Sequence, residues 1–155
     1  MQSIHSLIKK LSLDYPEFGF DTADEFLWSA NKKTVFYNPK LPHSREYTLH
    51  ELSHALLGHS EYKRDIELIK LERDAWEYAK TELAPRYGVN ISEDTIQDNL
   101  DTYRDWLYAR STCPECRTTG IETKTQNYRC LACGAIWRVN EARICALRRY
   151  SIQTK

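Results

Sequence analysis

Cys113-Pro114-Glu115-Cys116 and Cys130-Leu131-Ala132-Cys133 form two C-x-x-C knuckles with 13 residues between them. Four thiolates so arranged reach one tetrahedral ion and leave it no open position, so the segment reads as a zinc ribbon with a structural metal. A segment this short has no core of its own, and the ion supplies the folding free energy instead. A redox-active pair would need one C-x-x-C near a βαβ pattern, which two knuckles in register do not resemble. The fifth cysteine, Cys145, reads as a lone buried thiol.

A second metal motif lies upstream, where His50-Glu51-Leu52-Ser53-His54 spells H-E-x-x-H. Histidines four apart share one face of a helix and present both imidazoles to one ion, with Glu51 beside them as general base. A zinc ion held there lowers the pKa of its bound water towards about 7, and Glu51 accepts the proton and returns it to the leaving amine. Tyr47, Thr48, Leu49, Leu52, Ser53, Ala55, Leu56 and Leu57 around the motif are uncharged. That suits a buried helix better than a surface helix with two solvated histidines.

The chain has 155 residues, enough for one modest domain and a small appendage. No apolar run approaches the roughly 20 residues of a membrane span, and the N-terminus, with Ile4, Leu7, Ile8 and Leu11 at helical spacing, lacks a signal-peptide core. A cytoplasmic location is therefore expected, where thiols stay reduced and cysteines serve as ligands. The net charge of zero conceals a split: residues 1–110 carry 14 Lys/Arg against 19 Asp/Glu, and residues 111–155 carry 8 against 3. Arg117, Lys124, Arg129, Arg138, Arg143, Arg148 and Arg149, with Tyr128 and Trp137 among them, suggest a nucleic-acid or acidic-partner surface. The bland alternative is that Trp137 covers the small core of the ribbon and the arginines solvate its outside.

The expected fold class is α+β: a mainly helical zincin-like domain with a small sheet over residues 1–110, then a zinc ribbon and basic tail over 111–155. Periodicity predicts a helix over 3–13, strands at Glu25–Trp28 and Thr34–Tyr37, and the metal helix over about Arg45–Leu57 with Gly58 as its stop. A long helix follows from near Asp65 to Pro85 or Gly88, with a late kink, and Ser92 caps another that runs to about Arg110. The strands of the ribbon fall near Ile121–Arg129 and Ala135–Val139.

A catalytic zinc needs a third protein ligand, and His59, Glu72 and Asp74 are the nearest candidates. His59 comes five residues after His54, one short of the metzincin spacing, and reads as a helix-end histidine. Glu72 sits on the next helix, where it completes a His₂Glu, gluzincin-like set, with one more solvated charge on the run Glu67–Glu77 as its alternative reading. Asp74 points about 160° away from Glu72 on an ideal helix, so the two cannot share the ion. Tyr37, Tyr47 and Tyr78 are candidate oxyanion stabilisers.

The run Tyr47-Thr48-Leu49-His50-Glu51-Leu52-Ser53-His54-Ala55-Leu56-Leu57-Gly58-His59, followed by Glu72-Arg73-Asp74-Ala75-Trp76-Glu77-Tyr78-Ala79, resembles the ImmA/IrrE family of zinc metallo-endopeptidases. The second motif of that family reads E-x-x-A-N-x-F-A. Glu72, Ala75 and Ala79 match it, Tyr78 stands at its Phe, and Trp76 departs from its Asn. The resemblance spans roughly residues 30–85. It implies Glu72 as third ligand, Asp74 as a supporting residue at most, and a protein substrate such as a DNA-binding transcriptional regulator. A ribbon joined to H-E-x-x-H also resembles the SprT-like proteases that act on DNA-bound protein, although those take a downstream third histidine and this chain has none after His59. A non-catalytic nucleic-acid-binding or adaptor protein, with both zincs structural, is the alternative of a different class. An intact Glu51 speaks for catalysis, since a structural site has no use for an unliganded carboxylate there.

Overall fold

The computed structural model describes residues 2–140 and 149–152, the last four by backbone alone. The fold is α+β, as the patterning predicts, with a three-stranded and a four-stranded sheet. The chain divides into two compact units, Met1–Glu61 with Leu71–Ile96, and Tyr62–Lys70 with Gln97–Lys155. The cysteine spacing draws a boundary after residue 110, whereas the folded chain gathers two helical stretches upstream of it with the cysteines. Among the described residues no helix is long and apolar enough to cross a membrane.

The first unit opens with α1 (Ile4–Asp14), capped by the Ser3 hydroxyl, which accepts from the Ser6 N–H at 3.2 Å. Its Leu7 and Leu11, one turn apart, are fully buried. Three short strands follow: β1 (Gly19–Thr22), β2 (Leu27–Ser29) and β3 (Thr34–Tyr37). They order as β1-β3-β2, with β1 parallel and β2 antiparallel to β3, so β3 is central and, among the described residues, β2 is an edge strand. Val35 and Tyr37 on β3 point inward and are buried, the period-2 signature of a strand with one covered face. β1, which the sequence does not announce, alternates poorly because only Phe20 is partly covered.

Helix α2 (Ser44–Leu56) lies in this unit and buries Thr48, Leu49, His50, Leu52, Ser53 and His54, so it is covered on most of its circumference. Two of its three buried hydroxyls are satisfied within the helix, Thr48 Oγ1 donating to Ser44 O at 2.6 Å and Ser53 Oγ to Leu49 O at 2.8 Å, while Ser44 Oγ has no partner among the described residues. The helix ends in a Schellman turn, with Gly58 in the left-handed region at φ 70°. There the Gly58 N–H donates to Ala55 O at 3.2 Å and the His59 N–H to His54 O at 2.9 Å.

The stretch read as one long helix is α3 (Asp65–Tyr78), a π-helical turn (Ala79–Leu83) and α4 (Ala84–Tyr87), ending at Gly88 with φ 65°. Pro85 is the physical reason. It has no N–H to give to Thr81 O, and its ring crowds that carbonyl, so the helix widens just before it. Helix α5 (Glu93–Ser111) starts at Ser92, whose hydroxyl accepts from the Thr95 N–H at 3.1 Å.

In the second unit β4 (Ile121–Lys124), β5 (Asn127–Arg129), β6 (Ile136–Val139) and β7 (Arg149–Ile152) form an antiparallel sheet in sequence order. Strand β7 lies beyond the two ribbon strands that the cysteine spacing implies. The core is Cys113, Tyr128, Cys130, Trp137 and Val139. Tyr128 and Trp137 are register partners on β5 and β6, and their rings stack at 5.6 Å and 15°. A side chain at Gly120 would collide with the Trp137 ring and the Arg129 carbonyl oxygen, which explains a glycine there.

Candidate metal centres

Helix α2 projects His50 and His54 from one face, and α3 supplies Glu72, which is 3% exposed. Glu72 Oε2 lies 2.8 Å from His50 Nε2, and Oε1 lies 3.3 Å from His54 Nε2. The two Nε2 atoms are 3.2 Å apart. One ligand atom from each of the three residues thus falls within 4.8 Å of the others. Ligands at 2.0–2.1 Å from a tetrahedral zinc stand about 3.3 Å apart, so the donor set fits such an ion in both kind and spacing. Burial pushes the Glu72 carboxyl up, but hydrogen bonds and charge from His50 and His54 outweigh it and hold the group well below the usual carboxylate range.

The two imidazoles are held by different means. The His50 ring stacks on Trp76 with centroids 4.1 Å apart and planes at 22°, and its Nδ1 is buried with no hydrogen-bond partner among the described residues. His54 instead has its Nδ1 3.0 Å from Nδ1 of His59. Trp76 is itself steadied edge-on by Tyr47, which stacks on Phe26. Tyr37 is a buried residue of β3 whose hydroxyl is pushed up by burial and by Asp21, and Tyr78 lines a cavity with Leu57, Asp74, Glu77, Thr81 and Glu82.

Glu51 is not part of this group of three; its Oε2 accepts from the backbone N–H of Trp28 on the neighbouring strand at 2.9 Å. Asp74 is not part of the group and pairs with Arg73 at 3.5 Å. Of the three candidates for third ligand, the fold brings Glu72 to the histidine pair and His59 to the back of His54.

The cysteines form the second group, with Sγ atoms of Cys113, Cys116, Cys130 and Cys133 close enough to hold one metal ion. Cys113 Sγ lies 3.7 Å from Cys133 Sγ, and Cys116 Sγ 3.4 Å from Cys130 Sγ. Thiolates at about 2.3 Å from a tetrahedral zinc stand about 3.8 Å apart, so these separations suit that ion. The knuckles repeat each other bond for bond. Arg117 N–H donates to Cys113 O and Gly134 N–H to Cys130 O, both at 3.0 Å. Cys113 N–H donates to Thr118 O at 2.9 Å and Cys130 N–H to Ala135 O at 2.8 Å. Arg117 (φ 63°) and Gly134 (φ 78°) occupy the same left-handed position. Side-chain and then backbone hydrogen bonds from Thr118 push the Cys116 thiol down to about 6, towards the thiolate a metal requires. Cys145 lies outside the described residues.

A buried polar cluster in the same unit had no herald in the sequence. Arg110, 1% exposed, donates from Nε and Nη2 to the two carboxylate oxygens of Asp65 at 2.8 and 3.2 Å. Tyr128 Oη also donates to Asp65 Oδ2, and burial and that bond push the phenol up, so it keeps its proton. The Asp65 N–H donates to Glu122 Oε1 at 2.7 Å, the Trp137 indole N–H to Arg110 O at 3.0 Å. These bonds explain why Tyr62–Lys70 belongs to the cysteine unit. They also correct the reading of Tyr128 and Trp137 as surface aromatics: both are buried, and Trp137 covers the ribbon core. Arg117, Lys124, Arg129 and Arg138 are exposed, while Arg143, Arg148 and the side chain of Arg149 lie outside the described residues.

No family model, curated protein or solved structure matches the chain.

Proposed function

We propose that this chain is a zinc-dependent endopeptidase with Glu51 as its general base. The observation that carries the reading is the convergence of His50 Nε2 and His54 Nε2, on the helix that also bears Glu51, with a carboxylate oxygen of Glu72 from α3, all within 4.8 Å. His50, His54 and Glu72 would hold the ion, which when bound supplies a water of lowered pKa and polarises a carbonyl. Glu51 takes a proton at its carboxylate and gives it to the departing amine nitrogen. Burial of all three ligands keeps competing water from their lone pairs and strengthens each charge–dipole interaction.

A peptide substrate is favoured over a small amide by the strand beside Glu51. Among the described residues β2 pairs on one side only, and an extended chain adds to such an edge through main-chain hydrogen bonds. Leu27 on β2 is 52% exposed and offers apolar contact there. The resemblance to the ImmA/IrrE family points the same way, towards a protein substrate such as a transcriptional regulator. A structural zinc on Cys113, Cys116, Cys130 and Cys133 completes the cofactor set.

Nucleic acid is the second partner to test, on one observation. Arg129 and Arg138 sit on β5 and β6, each one residue from an inward-facing aromatic, so both project from the opposite face of the sheet.

Zinc stoichiometry decides the metal part: wild type is expected to hold two ions, Glu72→Ala one and Asp74→Ala two. A wild type with one ion would remove the hydrolase reading. Incubation of the loaded protein with a peptide library, read by mass spectrometry, should show cleavage that disappears in Glu51→Gln. Anisotropy titrations with single-stranded DNA at two salt concentrations test the second partner.

A further inference from the structure

We infer that His59 is a positioning residue that selects the metal-binding tautomer of His54, an inference that rests on the metal site proposed above. A neutral imidazole carries one proton. For His54 Nε2 to offer its lone pair beside His50 Nε2 and Glu72, the proton must stand on Nδ1. A buried Nδ1–H needs an acceptor, and Nδ1 of His59 lies 3.0 Å away. His59 accepts there when its own proton is on Nε2. The opposite arrangement would place a hydrogen on His54 Nε2, against the other two ligand atoms.

The backbone delivers this partner. After Leu56, the left-handed Gly58 reverses the chain, and the His59 N–H closes onto the carbonyl of His54 at 2.9 Å. The same two residues are thus joined twice, main chain to main chain and ring to ring. A spacing of five would put residue 59 well round an uninterrupted helix from residue 54, and the Schellman turn is what returns it. His50 has no such partner among the described residues and relies on the face of Trp76, so the two ligands differ in what fixes them.

The test is zinc affinity by chelator competition on the full chain, with the cysteine site as internal reference, for wild type, His59→Ala and His59→Asn. Loss of the outer hydrogen bond of a ligand histidine costs about 10–100-fold in metal affinity, and that loss is expected in His59→Ala at the histidine site only. The amide oxygen introduced by His59→Asn can stand where Nδ1 stood and accept the same proton, so this variant is expected to stay near wild type. Cobalt substitution adds a spectral readout: the His59→Ala band should shift and the His59→Asn band should not. Two ions in wild type with unchanged affinity in His59→Ala would overturn the role of His59 while leaving the metal site intact. Equal weakening of both variants would show that the ring, not its acceptor nitrogen, is what matters, and would also overturn it. A wild type with an empty histidine site would instead remove the reading on which the inference rests.

Discussion

Glu51 Oε2 accepts a hydrogen bond from the Trp28 N–H across 23 residues of sequence, at 2.9 Å. The bond ties the glutamate of the metal helix to β2, an outer strand of the three-stranded sheet. Exchange for glutamine would keep it, since an amide oxygen accepts from the same N–H, but would leave no carboxylate to take a proton. Glu51→Gln is therefore expected to hold its zinc and its melting temperature while losing about 10²–10⁴-fold in peptide cleavage. Zinc analysis beside the cleavage assay checks this, and loss of the metal with the activity would make Glu51 a ligand.

The Glu72 carboxyl, held far below its usual 4.5 by His50 and His54 against the opposing effect of burial, sets the acid response of the metal-free protein. A carboxyl with a lowered folded value binds fewer protons folded than unfolded, so its stabilisation is complete above 4.5 and shrinks as pH falls towards the lowered value. Metal-free wild type should lose stability below about pH 4.5 along a slope that Glu72→Gln lacks. Urea melts at a series of acidic to neutral pH values read the slope directly.

Breaking the Asp65–Arg110 pair on one side strands a charge where side-chain exposure is 3% or less. Asp65→Ala and Arg110→Ala should each cost about 3–5 kcal/mol, and the combined Asp65→Leu, Arg110→Met change much less than their sum. Denaturant unfolding followed by tryptophan fluorescence measures this. Additive losses would mean that the two residues do not act as a pair.

Arg117 holds the left-handed backbone position that Gly134 occupies in the other knuckle. A side chain there is strained by about 1 kcal/mol, and nothing in the knuckle requires arginine for shape. Arg117→Gly should leave zinc content unchanged and raise the unfolding free energy of the cysteine unit by about 0.5–1 kcal/mol. A lower unfolding free energy would show that the guanidinium contributes more than the backbone strain costs.

Much of the site was legible because its chemistry is local. The spacing of His50 and His54 on a helix, and the repeat of Cys113-x-x-Cys116 in Cys130-x-x-Cys133, each confine ligands to a few residues, and the fold brings each set together. Thr34–Tyr37 was legible for the same reason, as an alternating strand bounded by turn residues. The metal helix lies within one residue of its predicted ends. What escaped was non-local or polar. Asp65 and Arg110 are 45 residues apart on helices that look solvent-facing, and no periodicity marks a pair that meets only after folding. β1 has too little alternation to read as a strand, and it forms because Gly19–Thr22 finds the open side of β3. His59 looked idle by spacing, since a turn at Gly58, not a helical repeat, decides where it goes.

The cysteine unit takes its residues from two separate stretches of chain, so it is not a cassette. A deletion of residues 111–155 would strip Tyr128 and Glu122 from Asp65 and leave Arg110 without its indole partner Trp137. Grafting the same residues onto another protein would carry the thiols but not the stretch Tyr62–Lys70, in which α3 begins at Asp65. Residues 111–155 moved alone would thus arrive without the Asp65 carboxylate to which the Tyr128 hydroxyl donates.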